Sequence, residues 1–249
     1  MDVLALSAWS AMLFRYWFGG KLLLLLHPDY AWLSNTAAIA LVLLVAFTIY
    51  RILTQLYGST AQSRAQANTS QNANQGHVTL LPPSISSALL LGVAVFGMIY
   101  TPRAFSSQTA MQRGISETLT LTRAQPQRFG RADAPEDRTV IDWIRLINAY
   151  PEPDAYSGEA VDLTGFVFYP EGWPENYIMV SRFVLTCCAA DAYPVGLPVR
   201  VASRTPYPVD SWLAVKGEIF TETFEERRQV AIAPTEIKTI PEPKNPYEY

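Results

Sequence analysis

The stretch TAAIALVLLVAFTIYRILTQLYG, residues 36–58, decides the class of fold, because residues 36–50 carry no charge. A helix of about 20 mostly apolar residues crosses the hydrocarbon core of a bilayer. Arg51 and Tyr57 follow the apolar run, where a snorkelling base and an interfacial aromatic ring belong. The stretch therefore predicts a transmembrane helix near residues 36–57.

Two further apolar stretches flank this one. SISSALLLGVAVFGMIYTPR, residues 84–103, follows two prolines and is stopped by Pro102, which predicts a second span near residues 84–101. VLALSAWSAMLFRYWFGGKLLLLLHPDY, residues 3–30, predicts a span near residues 4–26. It lacks the basic start and small-residue cleavage site of a secretory signal, so we expect it to be retained. The prediction is a membrane protein with three N-terminal transmembrane helices.

Arg15 interrupts the first of these stretches. A charge at mid-bilayer costs about 2.5–3.5 kcal/mol on insertion scales, so such residues usually face protein or water. In one interpretation Arg15 is partner-facing and pairs with an acid on another subunit or lines a polar path. In the other, the helix starts later and Arg15 lies among the lipid headgroups. The other two spans contain no acid, so a deeply placed Arg15 requires a second protein.

The rest of the chain divides into a loop, a linker and a soluble domain. We assign residues 1–104 to the membrane region, with a Gln/Asn-rich loop at 58–80 that has little to bury. Residues 105–136 are predicted as a linker with one short ordered piece at 115–121, and residues 137–249 as a soluble β-barrel-like domain. From residue 136 onward the chain has 18 acidic and 10 basic residues, a net charge of −8. This charge argues against nucleic acid as a partner.

Basic residues in the loops predict the orientation. The first loop, residues 27–35, has no Lys or Arg, whereas the second is flanked by Arg51 and contains Arg64. The positive-inside rule then places the N-terminus in the cytoplasm and the C-terminal domain outside it. Arg103 and Arg113, after the third span, oppose this assignment.

The C-terminal domain reads as one short helix followed by strands. DRTVIDWIRLINAY, residues 137–150, has Asp137 as a candidate N-cap and an apolar face at Val140, Trp143 and Ile147. Five strand-like runs follow: AVDLTGFVFY, YIMVSRFVLTC, LPVRVAS, SWLAVKGEIF and QVAIAPTEIKTI. Gly165 and Gly217 lie inside strands, where glycine often marks a bulge or a tight bend. The pattern predicts a mainly-β domain similar to an OB-fold barrel.

The only two cysteines are adjacent, in RFVLTCCAADAYPVG, residues 182–196. If the strand continues through them, Cys187 and Cys188 point to opposite faces, whereas if it ends there, Cys188 and Asp191 can approach across a turn. Three interpretations stay open. The pair is structural, or binds zinc or copper together with Asp191, or forms a redox-active vicinal pair. Neither histidine lies in the domain, so the metal site has at most three local ligands.

Other features complete the functional prediction. Arg182 either counters the charge of Asp191 or is a solvated strand residue. The sequence has no G-x-S-x-G elbow, no phosphate-binding glycine loop and no H-E-x-x-H motif, so we do not predict an enzyme.

Four segments together resemble one bacterial family. They are YSGEAVDLTGFVF, SRFVLTCCAADAYPVGLPV, SWLAVKGEI and PKNPYEY, in that order, and they are similar to the YcgQ-like proteins. The resemblance implies an accessory subunit of a two-component membrane permease, a multi-span partner protein in the cell envelope and, in some members, a link to metal handling. It implies no catalytic activity. A membrane-anchored thiol protein and an assembly factor without site chemistry are the alternatives.

Overall fold

The computed structural model describes residues 2–58, 82–114, 134–224 and 227–249. Its internal contacts divide the chain into two compact units. The helical unit consists of Met1–Leu23 and Pro28–Pro102, and the barrel unit consists of Leu24–His27 and Arg103–Tyr249. Most of the Gln/Asn-rich loop predicted at 58–80, and the ordered piece predicted at 115–121, lie outside the described residues.

The helical unit contains α1 (Asp2–Phe18), α2 (Pro28–Gly58) and α3 (Pro83–Ile99). Among the described residues one helix, Pro28–Tyr57, is long and apolar enough to cross a membrane, with a mean hydropathy of 2.2 over its best window. An apolar helix near the N-terminus suits a membrane anchor and also a signal sequence. The apolar parts of α1 and α3, Val3–Phe18 and Ser84–Ile99, are shorter. Three transmembrane helices are therefore not confirmed and stay a prediction.

The first predicted helix, near 4–26, is shorter than expected. It ends at Phe18 because Gly19 and Gly20 follow, and Gly20 has a φ of 68°, which glycine adopts without a steric penalty. A 3₁₀ turn at Lys21–Leu24 comes next. The second helix starts at Pro28 instead of near residue 36, because proline is well suited to the first position of a helix.

Side-chain hydrogen bonds tie α1 to both other helices of this unit. Trp9 donates its indole N–H to the carbonyl oxygen of Leu90 at 3.0 Å, and the Tyr16 hydroxyl donates to that of Gly97 at 2.6 Å. The Ser10 hydroxyl donates to the carbonyl oxygen of Ala38 at 3.3 Å. Much of the apolar surface of α2 and α3 stays exposed, which is what a lipid-facing surface requires.

In the described part of the barrel unit there are two α-helices and six strands. The helices are α4 (Ser107–Arg113), which lies in the segment predicted as a linker, and α5 (Val140–Ala149). The N-cap of α5 is Thr139 instead of Asp137, because Thr139 and Asp142 form a capping box. The strands are β1 (Ala160–Phe168), β2 (Tyr177–Val184), β3 (Tyr193–Arg200), β4 (Trp212–Phe224), β5 (Arg227–Ile240) and β6 (Tyr247–Glu248).

The predicted mainly-β domain is confirmed, and its sheet closes on itself. The hydrogen-bonded order is β1-β4-β5-β3-β2-β6, and β1 also pairs with β2. The β1–β2 closure runs from Phe166↔Ser181 to Phe168↔Met179. Gly165 lies next to this closure in close contact with β2, since a Cβ there would lie 2.6 Å from the carbonyl oxygen of Ser181.

Two apolar clusters fill the two sides of β1 and β2. The inner cluster joins α5 to the barrel through fully buried side chains such as Trp143, Leu163 and Val180. The second cluster contains Phe166 and Phe183, with α4 packed against it. Strand β2 is buried on both faces as a result, so the loop that follows it starts from a fixed position.

A bulge, one of the two features that a glycine inside a strand predicts, lies opposite Gly217. Lys216 pairs with Glu236 while Gly217 pairs with Pro234, so Thr235 is an extra residue on β5. A Cβ on Gly217 would lie 2.3 Å from the carbonyl oxygen of Ala233. Only glycine fits this approach of two backbones.

We expect Gly217→Ala to lower the free energy of unfolding of the barrel unit by about 1–3 kcal/mol, because the backbone has to move to admit the methyl group. Denaturant unfolding of the full chain in detergent, followed by tryptophan fluorescence, measures this change. Glu218→Ala, one residue on at an exposed position, is the control and should change the stability by less than about 0.5 kcal/mol. Equal stabilities of the two variants would contradict the structure of the bulge.

Candidate metal site

The cysteine pair lies in the loop between β2 and β3. Strand β2 ends at Val184, and Cys188 precedes a 3₁₀ turn at Ala189–Asp191. The sequence left open whether the strand continues through the cysteines or ends before them. It ends before them, and the chain forms a turn. The two Sγ atoms lie 3.7 Å apart, with Cys187 exposed and Cys188 half-buried.

The carboxylate of Asp191 holds this loop in shape. Its Oδ2 accepts a hydrogen bond from the backbone N–H of Cys187 at 2.7 Å, and its Oδ1 accepts from those of Thr186 and Cys188, each at 3.3 Å. Backbone donors of this kind take the place of water for a half-buried carboxylate. The side chain of Asp191 therefore stays on the same side of the turn as both sulfurs.

The structure brings the three predicted ligands together. One ligand atom from each of Cys187, Cys188 and Asp191 lies within 4.8 Å of the other two. Sulfur ligands of zinc lie about 2.3 Å and carboxylate oxygens about 2.0–2.2 Å from the ion, so three ligands around one ion are about this far apart. The donor set and its spacing fit a soft or borderline cation.

The cluster is electrostatically unfavourable for a bare thiolate. A hydrogen bond with the Asp191 carboxylate and another with the Cys188 sulfur raise the pKa of Cys187 to about 12. Partial burial raises the pKa of Asp191, but hydrogen bonds from the thiol and backbone N–H groups of Cys187 outweigh it and leave that pKa below its ordinary value. Without a cation nearby, the stable state is a thiol beside a carboxylate.

A segment from far along the chain lies beside this loop. Leu26 and Cys188 form an antiparallel bridge, in which the N–H of His27 donates to the carbonyl oxygen of Cys187 at 3.0 Å. The N–H of Ala189 donates to the carbonyl oxygen of Leu25 at 2.8 Å. The expectation that no histidine belongs to this domain is wrong, because Leu24–His27 is part of the barrel unit. The sequence carries no signal for this pairing, since Leu25 and Leu26 read as the end of an apolar span.

Arg113, at the end of α4, contacts the loop from the other direction. Its guanidinium donates to the carbonyl oxygens of Ala189, at 3.3 Å, and of Ala192. The same group lies 4.9 Å from the centre of the Phe105 ring, a cation–π contact. Two segments distant in sequence thus fix the backbone of the cysteine loop.

Arg182 does not serve the site. Both interpretations from the sequence are wrong: it neither faces Asp191 nor lies in solvent. It is buried, with its Nε 3.4 Å from an Oε1 of Glu248 and its guanidinium 5.1 Å from the Trp212 ring centre. Glu248 also accepts the N–H of Ile141 at 2.7 Å, so this ion pair joins β2, β6 and α5.

Arg15 belongs to the helical unit. It lies in the last turn of α1 with its side chain exposed. The interpretation in which the helix starts beyond Arg15 is therefore wrong, since α1 ends three residues after it. An exposed arginine near a helix end remains available to a headgroup or to a partner.

These features define a class of protein in which an apolar helical unit is joined to a closed mainly-β domain with a vicinal cysteine pair. Comparison with known proteins gives a match for the C-terminal part of the chain. Residues 136–249 match the family described as the DUF1980 C-terminal domain. This part of the chain is similar to that family, and the resemblance to YcgQ-like proteins seen in the sequence is confirmed for it as a similarity.

A relative of this type is the UPF0703 protein YcgQ of Bacillus subtilis (strain 168), which is 26% identical over 102 residues. The matched region covers 40% of this chain and 36% of that protein, so the chain aligns with about a third of its relative. No solved structure matches the chain significantly.

The role of Asp191 can be tested through the thiol of Cys187. In a Cys188→Ser background, which leaves one cysteine, Asp191→Asn removes the negative charge and keeps an oxygen acceptor. We expect the pKa of Cys187 to fall toward the ordinary value near 8.5, because a neighbouring carboxylate disfavours the thiolate. The pH dependence of alkylation by iodoacetamide measures the midpoint. Asp162→Asn, an exposed acid on β1, should leave the midpoint unchanged, and an equal midpoint for Asp191→Asn would disprove the assignment.

Proposed function

We propose that the chain is an accessory subunit of a membrane permease whose barrel unit binds a metal ion through Cys187, Cys188 and Asp191. The observation that carries the proposal is the mutual approach of these three ligand atoms within 4.8 Å. The resemblance of residues 136–249 to YcgQ-like proteins supports the choice of family. The permease role itself is inferred from that resemblance.

Zinc and copper(I) are the ions that this ligand set favours. Thiolates prefer soft and borderline cations over magnesium or calcium, which take oxygen ligands. Three protein ligands leave a coordination position open, which is typical of sites that exchange a ligand and not of closed structural sites. Cys187 is exposed, so an ion can reach the site from solvent.

The net charge of the domain supports the same function. Residues 136–249 carry −8, which raises the local concentration of cations and disfavours nucleic acid. We also infer that the barrel is related to the OB-fold. The closed order β1-β4-β5-β3-β2, in which β3 and β5 run parallel at Val199↔Ile232, supports this relationship. A fold relationship carries no function of its own.

A bilayer anchor with the barrel unit outside the cytoplasm is part of the proposal. The barrel unit includes Leu24–His27, which lies between α1 and α2 in the chain, as well as everything after Pro102. If all three helices cross the membrane, both segments emerge on the same side of it. A three-span topology therefore allows the two segments to belong to one unit. The loop charges favour the extracytoplasmic side.

A redox function is the second candidate, and the 3.7 Å distance between the sulfurs is the observation in its favour. Two observations weigh against it. Reactive cysteines have lowered pKa values, whereas the pKa of Cys187 is raised to about 12. A disulfide between adjacent residues also strains the backbone.

The full chain in mild detergent should bind one zinc ion. Cys188→Ser and Asp191→Asn should each weaken binding by more than about tenfold, because loss of an outer-shell partner alone already costs about 10–100-fold. Competition with a chromophoric chelator measures the affinity, and elemental analysis measures the stoichiometry. Asp162→Asn is the control and should bind like the unaltered chain. A metal-free protein whose two thiols oxidise reversibly would refute metal binding and favour the redox candidate.

The partner can be tested by co-purification. A mild-detergent pull-down from the native membrane should recover a multi-span permease, and Arg15→Gln should reduce its yield at least several-fold, because a charge on α1 needs a partner group. Arg51→Gln, at a snorkelling position on α2, serves as the control and should keep the yield. Recovery of the chain alone, or equal yields for both variants, would contradict the partner role of Arg15.

A further inference from the structure

We propose that Arg113 is a positioning residue of the metal site, which raises the affinity of the site for its ion without binding that ion. The inference rests on the proposed metal-binding function and deepens it by naming a residue on which the affinity depends. Arg113 is the last residue of α4, and its side chain is exposed. A guanidinium group has only hydrogen-bond donors, so Arg113 is not a ligand and the open coordination position stays open.

Arg113 contacts both ends of the 3₁₀ turn that carries Asp191. Its Nη1 donates to the carbonyl oxygens of Ala189, at 3.3 Å, and of Ala192. Ala189 begins this turn, and Ala192 follows its last residue, Asp191. Carbonyl oxygens at the end of a helical turn lack a partner within the turn, and a basic side chain can supply one. A single guanidinium nitrogen therefore joins the two ends of the turn.

A ring from the second apolar cluster fixes the guanidinium. The carbon of the guanidinium lies 4.9 Å from the ring centre of Phe105. The Phe105 ring packs in turn against the rings of Phe183 on β2 and Tyr247 on β6, with ring centres 5.2 and 5.8 Å away. Both of these residues are buried. A cation–π contact with a ring that is itself packed on two strands orients the charged group of Arg113.

The backbone of α4 is attached to the barrel as well. The N–H of Ser107, at the start of the helix, donates to Oδ1 of Asp210 at 2.6 Å. Ala110 is fully buried in the second apolar cluster. Arg113 follows Ala110 by three residues and so lies on the same side of the helix. The helix is held at its start and at its centre, and its last side chain needs little further ordering to reach the loop.

Asp191 connects Arg113 to the sulfur ligands. Its carboxylate accepts hydrogen bonds from the backbone N–H groups of Cys187 and Cys188. A loop that is held in the binding conformation has lost its conformational freedom before the ion arrives, so binding does not have to pay for the ordering. Loss of an outer-shell partner of a metal site weakens metal binding by about 10–100-fold. We expect a loss of this size when the Arg113 side chain no longer joins the ends of the turn.

Zinc binding by the full chain in mild detergent tests the inference with two substitutions. Arg113→Met removes every donor but keeps the length of the side chain, and should weaken zinc binding by at least about tenfold. Arg113→Lys should bind within about threefold of the unaltered chain, because an ammonium group can donate to both carbonyl oxygens. Gln112→Ala, at the preceding exposed position of α4, is the matched control and should bind like the unaltered chain.

Hydrogen–deuterium exchange of the metal-free chain separates positioning from general stability. Arg113→Met should speed the exchange of the backbone N–H groups of Cys187 and Cys188 several-fold, because the turn that holds Asp191 opens more often. The N–H groups of β2 should exchange at the rate of the unaltered chain. Gln112→Ala should change neither rate.

The outcomes separate this inference from the function on which it rests. If the unaltered chain binds no zinc, the proposed function fails, and the role of Arg113 fails with it. If the chain binds zinc and Arg113→Met keeps both its affinity and its exchange rates, only the role of Arg113 is wrong. If Arg113→Met speeds exchange in β2 as much as in the loop, or Arg113→Lys binds as weakly as Arg113→Met, the positioning role is likewise wrong.

Discussion

The hydrogen bonds between the Asp191 carboxylate and the backbone N–H groups of Thr186, Cys187 and Cys188 are the interaction on which the site depends. They close a turn immediately after β2, so that two neighbouring side chains that a strand would send to opposite faces meet on one side. The same carboxylate holds the loop through these hydrogen bonds and is also a candidate metal ligand. A change at Asp191 therefore alters the shape and the charge of the site together.

The loop has little freedom because its surroundings are fixed. Strand β2 is buried along its whole length and pairs with β3 at eight successive positions. Behind it, the buried Glu248 contacts Arg182 and the N–H of Ile141, which attaches β6 and the start of α5 to the same strand. Burial raises the pKa of Glu248 and lowers that of Arg182, although each charge partly offsets the shift of the other. A buried pair of this kind is strongly destabilised by loss of one partner, which keeps the register of β2 defined.

Local patterns in the sequence predict the parts of the structure that local physics determines. Strand-like runs between turn residues mark β1 to β5. Gly217 marks a bulge because only a residue without a side chain fits there. The spacing of Cys188 and Asp191 allows them to meet if the strand ends before them, and the turn after β2 does bring them together. These are contacts between residues that are close along the chain.

The predictions from the sequence that are wrong concern residues whose partners lie far away along the chain, or the choice between two nearby residues. Arg182 reads as a surface charge because arginine is seldom buried, and its partner Glu248 is 66 positions away. His27 reads as the end of an apolar span, and nothing near it indicates pairing with a loop 160 residues further on. Aspartate is a preferred N-cap residue, which made Asp137 a candidate. Thr139 is the N-cap of α5 instead, because its capping box satisfies two backbone groups at once.

The protonation of the cluster decides between its two candidate chemistries. A thiol that shares its proton with a carboxylate is a poor nucleophile, because the thiolate is scarce at neutral pH and disulfide exchange proceeds through the thiolate. A metal ion reverses this balance, since it stabilises the thiolate and neutralises the carboxylate in one step, with release of the protons. The arrangement that disfavours a thiolate at Cys187 is thus the arrangement that gains most from a cation. An exposed Cys187 on a domain of charge −8 lets such a cation arrive and leave, which suits an exchanging site better than a permanent one.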